Sequence, residues 1–150
     1  MTGPGRLAVV ALLLAVALPL AGCGSLGAPT PTPGGLGDVI AALVLRGVTV
    51  HQHVAGDAGC PASALHDNAV RLTVSMAAEA TRSDVHVFRW RRQADFDAEA
   101  DAFAACIAAQ QQAGSDVLST VEESPFRAYG FGWSDELRTA VAEALRAAIG

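Results

Sequence analysis

Residues 69–76 read Ala69-Val70-Arg71-Leu72-Thr73-Val74-Ser75-Met76, an apolar–polar alternation that fits a half-buried strand and not a helix. Successive side chains of a strand point to opposite faces. Val70, Leu72, Val74 and Met76 therefore share one face, and Arg71, Thr73 and Ser75 the other. The same period appears on both sides of this stretch. Residues 48–54 place Val48, Val50 and Val54 on one face and Thr49, His51 and His53 on the other. Residues 84–91 place Phe88 and Trp90 on one face, with His86 beside them, and Val87, Arg89 and Arg91 on the opposite one. The aromatic face is expected to lie inside.

Helical periods flank these strands. Residues 36–46 carry an apolar stripe of Leu36, Ile40, Leu43 and Val44, with Asp38 in the first turn and Gly47 as a stop. Residues 95–113 carry Phe96, Ala100, Phe103 and Ile107 on one helical face, an acidic start, and Gly114 at the end. Strands are expected at 117–122 and 127–133, separated by the Ser124-Pro125 break. Ser134 then caps a last helix whose buried stripe is Leu137, Val141, Leu145 and Ile149. The expected order is α-β-β-β-α-β-β-α. It predicts an α+β domain: a single antiparallel sheet of four to five strands with three helices packed on one face.

The amino-terminal region has a different character. Arg6 precedes an unbroken apolar run from Leu7 to Leu18, and Leu20-Ala21-Gly22-Cys23 follows. A spanning helix needs about 20 apolar residues, so the run is short for one. The tetrapeptide resembles a lipobox, the site at which bacterial lipoprotein signal peptides are cut and the cysteine is acylated. That resemblance implies a signal peptide over 1–22, a lipid on Cys23, and a protein held on the outer side of a membrane. An ordinary secretory signal or an uncleaved anchor helix is the competing reading. Residues 24–35, GSLGAPTPTPGG, read as the extended remainder of a tether over 23–35. Residues 36–150 form one domain. Lysine is absent and alanine abundant, and the element pattern resembles short lipoproteins of unknown function in GC-rich bacteria. They share the short helix ending in Gly, the aromatic-rich strand such as Val87-Phe88-Arg89-Trp90, an Ala-rich helix and a final amphipathic helix. This resemblance brings no activity or site with it.

Charge narrows the partners. With Arg6 set aside from the ten basic residues, nine arginines face fifteen acids. An acidic, exported domain does not suit nucleic acid, whose phosphates call for clustered cations. Cys60 and Cys106 are left once Cys23 is assigned to lipid, and an oxidising compartment favours a disulfide between them.

Chemistry-bearing motifs are sparse. His51-Gln52-His53 places two imidazoles on one strand face and could hold a metal ion with a third donor, such as Asp57, His66 or His86; two solvated histidines are the plainer reading. No G-x-S-x-G elbow and no phosphate-cradling loop occurs. Strand phase also groups Arg71, Arg89 and Arg91 with His51 and His53 on the outer sheet face. That face reads either as solvated, or as a docking surface for an anionic envelope component or an acidic protein patch. The sequence thus predicts a non-enzymatic, lipid-anchored extracytoplasmic binding or envelope-associated module, with no cofactor beyond the lipid on Cys23. A metal-handling lipoprotein using His51 and His53, and a small hydrolase, are the alternatives.

Overall fold

The computed structural model describes residues 34–113 and 116–150. Signal-peptide, lipid-site and most tether assignments, Cys23 included, lie outside the described residues, as does Gly114. Gly34 and Gly35, at the end of the expected tether, belong to the fold. The Gly34 amide donates to the Ala148 carbonyl, and the Gly35 amide to the Asp38 carboxylate.

Helix α1 (Leu36–Leu45) leads into strand β1 (Val48–Ala55), short helix α2 (Ser63–His66) and strands β2 (Ala69–Met76) and β3 (Ser83–Arg89). Helices α3 (Gln93–Ala98) and α4 (Ala100–Ala113), strands β4 (Leu118–Glu123) and β5 (Phe126–Phe131), and helix α5 (Asp135–Ala147) follow. The strands form one sheet in the order β1-β2-β3-β5-β4, antiparallel throughout. The α+β class, the single antiparallel sheet and the strand sequence agree with expectation. The central helix is divided at Glu99, although the Phe103 amide still reaches the Glu99 carbonyl. Helix α2 occupies what reads as loop. Ser134 caps α5 as expected, its hydroxyl accepting from the Leu137 amide at 3.2 Å.

The expectation that all helices share one face is corrected, because the sheet is buried on both sides. On one side, α1 and α5 cover Val48, Leu72, Val74, Val85, Val87, Phe126 and Ala128 with Val39, Leu43, Leu137, Val141 and Leu145. On the other, Phe96 of α3 and Phe103 and Cys106 of α4, with Leu65 of α2, cover Phe88, Trp90 and Tyr129. The cause lies in β3 and β5. Val85, His86, Val87 and Phe88 are all buried, so both phases of β3 carry groups that must leave water. A side chain of this size contributes about 1.5–3 kcal/mol when fully buried, and one layer of helices reaches only one phase.

A bulge in β1 overturns a second expectation. Val50 pairs with Val74, but Gln52 pairs with Thr73, so His51 is the extra residue. The insertion reverses the phase of everything beyond it. His51 bonds the Ser75 hydroxyl on one face, whereas His53 stands opposite Leu72 on the other. The two histidines do not share a face.

Candidate functional site

Strand β3 ends at Arg89, and the chain continues Trp90-Arg91-Arg92 before α3 begins. Trp90 must bury its indole in the second core, where it packs edge-on against Phe96. That anchors the arginines on either side of it at the end of the sheet. Here the ends of β1, β2 and β3, the start of α1 and the first turns of α3 enclose a cleft of about 880 Å³. Arg89, Arg91, Arg92, His66 and Asn68 line it together with the apolar side chains of Leu36 and Val70.

The cleft's charges are partly committed. Arg92 holds Asp95 through two bonds, of 2.7 and 2.8 Å. Glu99 accepts the Trp90 indole N–H at 2.8 Å. Asp67 lies exposed, and Arg91 is exposed with no ion pair among the described residues. Arg89 is half-buried, and its amide donates to the Asn68 carbonyl at 2.9 Å, which fixes the strand end to the loop after α2. The lining combines guanidinium groups and an imidazole with apolar side chains, which suits an anionic or strongly hydrogen-bonding ligand.

A separate polar group lies under the loop after β1. Arg71 donates to Asp57 at 2.7 Å and to Asp84 at 3.4 Å, and Thr73 donates to Asp84 at 2.8 Å. The Arg71 guanidinium holds the Asp57 carboxyl below its ordinary value, and the Gly59 amide, donating at 3.0 Å, adds to that. Asp57 in turn raises Arg71. Beside them His86 is buried. Its Nδ1 lies 3.2 Å from the Asp57 carbonyl, and burial lowers its proton affinity. The Tyr129 hydroxyl donates to the Ala58 carbonyl at 2.7 Å, and burial pushes its pKa up to about 12. These bonds fasten the loop to the sheet. They do not set a base against a nucleophile, because the Asp57 carboxylate faces Arg71 rather than the imidazole.

Cys60 and Cys106 form a disulfide, with Cα atoms 5.6 Å apart. His51 and His53 are separated by the bulge, and among the described residues no three His, Cys, Asp or Glu side chains gather as metal donors. The open cationic face is corrected as well. Arg71 pairs across the sheet with His86 on the aromatic side, while Arg89 pairs with Phe126 on the α1–α5 side. Arg89 and Arg91 still come together, but in the cleft and not on a sheet face. His66, Asn68, Arg92 and Glu99 escape a reading by strand phase. The visible signal for part of this set is the run Arg89, Arg91, Arg92 around one tryptophan.

Among the described residues no helix is long and apolar enough to cross a membrane. No protein-family model matches the chain. No curated protein and no solved structure matches it either.

Proposed function

We propose that the chain is a lipid-anchored extracytoplasmic binding module rather than an enzyme. The observation that carries this reading is Leu20-Ala21-Gly22-Cys23 after a short apolar run headed by Arg6. A thiol at that position is the acceptor for a diacylglyceryl group, and acyl chains in pairs hold a protein firmly where one alone does not. The Cys60–Cys106 bond supports an oxidising compartment. The arginine-lined cleft supports binding as the task, since it offers charged donors beside apolar side chains.

The test expresses the full chain in a bacterium that processes lipoproteins. Wild-type protein is expected in the detergent phase of a membrane extract, with a lipid-modified peptide beginning at Cys23. Cys23→Ser is expected to be unprocessed or released. Mass spectrometry that finds Cys23 unmodified in membrane-extracted protein overturns the reading.

A further inference from the structure

We propose that the cleft holds the phosphate of an anionic phospholipid headgroup from the membrane in which the chain is anchored. The proposal rests on the lipid-anchor reading and names a second contact with the same bilayer. Leu36, the first residue of α1, lines the cleft that Arg89, Arg91 and Arg92 line. The cleft therefore lies beside the residue at which the fold begins after the tether. The chain between Cys23 and Gly34 spans at most about 40 Å even when fully extended. A tether this short keeps the cleft at a high effective concentration of headgroups.

Charge points the same way. The chain is acidic, with a formal charge of −5, so its field as a whole opposes an anionic surface. Docking must then be local. Elsewhere in the fold Arg46, Arg71, Arg127, Arg138 and Arg146 each have a carboxylate partner. Arg91 has none among the described residues, although three carboxylates line its cleft. Asp95 is taken by Arg92, Glu99 by the Trp90 indole, and Asp67 is exposed to solvent. A guanidinium in this setting matches a phosphate through two parallel charge-assisted bonds.

The test places full-length lipidated protein in vesicles of phosphatidylcholine alone, or of phosphatidylcholine with a minority of phosphatidylglycerol. Flotation of the wild type with both vesicles reads the anchor by itself, and failure to float removes the anchor reading. Given flotation, amide exchange over residues 66–69 and 89–92 is expected to slow about tenfold with phosphatidylglycerol, the change one charge-assisted bond gives. Arg91→Gln should abolish that slowing with no change in melting temperature, and Arg82→Gln, an exposed arginine outside the cleft, should leave it intact. Equal exchange in the two vesicles overturns the proposal. So does equal loss in both variants, which would mark a diffuse charge effect. Protection by inorganic phosphate over phosphatidylcholine, without further gain from phosphatidylglycerol, overturns it in favour of a soluble anion.

Discussion

The imidazole of His86 stacks on the ring of Tyr129, with centroids 4.8 Å apart and planes 13° apart. The His86 ring and the Tyr129 hydroxyl occupy the space that a side chain at Gly59 would need, one residue from the disulfide at Cys60. A β-carbon built on Gly59 would lie 2.6 Å from His86 Cε1. The loop after β1 is therefore held on the sheet by ring packing, by hydrogen bonds to its carbonyls and by a covalent bond. It has little apolar content of its own.

Acid should loosen this loop through His86. Burial lowers its proton affinity in the folded state. The unfolded chain then binds the proton first. Stability is fully present above the unfolded histidine value of about 6.5 and is lost as pH falls through the lower folded value. Asp57, also lowered, follows the same sign in a more acidic window, below its ordinary value of 3.8. Urea melts across mildly acidic pH should show falling stability in the wild type and a flatter profile in His86→Gln. Identical profiles would remove His86 as the cause.

Gly59 and Gly47 separate two costs. Both have positive φ, at +70° and +79°. An alanine at either meets the left-handed penalty of about 1–2 kcal/mol. Only at Gly59 is there also a neighbour in the way, because nothing lies within 4 Å of the position at Gly47. Gly59→Ala should therefore lose more, by a further 1–3 kcal/mol or so of overpacking. Denaturant midpoints of the two variants decide the order.

The sheet is legible from sequence because β2 alternates cleanly, and because the caps and stripe of α5 agree with each other. The second core is not, since residues 85–88 of β3 are apolar or aromatic in both phases and alternation cannot say which side is covered. The β1 bulge leaves no mark either. Thr49-Val50-His51-Gln52-His53 contains no glycine or proline, and one inserted residue is enough to divide the histidine pair. The cleft draws His66, Asn68, Arg91 and Glu99 from segments that only the fold brings together. The cysteine pair is legible by counting, once Cys23 is given another role.

Arg127 is the buried cation of the second core, and its substitution should be costly. It is 4% exposed, its guanidinium lies 3.8 Å from the Phe96 ring centroid, and it donates to the Phe96 carbonyl at 3.1 Å. Trp90 and Phe103 flank it at 5.3 Å. A desolvated cation–π contact contributes about 2 kcal/mol or more. Arg127→Lys keeps the charge but loses the planar stacking, so it should still lose about 2 kcal/mol in equilibrium unfolding. Full stability in Arg127→Lys would show that charge alone suffices.

Cys60 lies in the loop after β1, and Cys106 is buried on α4 beside the Tyr129 hydroxyl. The bond closes 46 residues, enclosing α2, β2, β3 and α3. In the chain-entropy account, removing that constraint from the unfolded chain costs about 4 kcal/mol. Cys60→Ser should lower the melting temperature, and so should the reduced wild type. Cys106→Ser should lose at least as much, because a hydroxyl replaces sulfur in a buried site and needs a partner. The loss should be spread through the fold rather than confined to the loop, since the entropy belongs to the unfolded state. Hydrogen exchange distinguishes the two cases. Faster exchange throughout β2 and β3 is the expected result, and faster exchange limited to residues 56–62 would mean that the bond acts only as a local clasp.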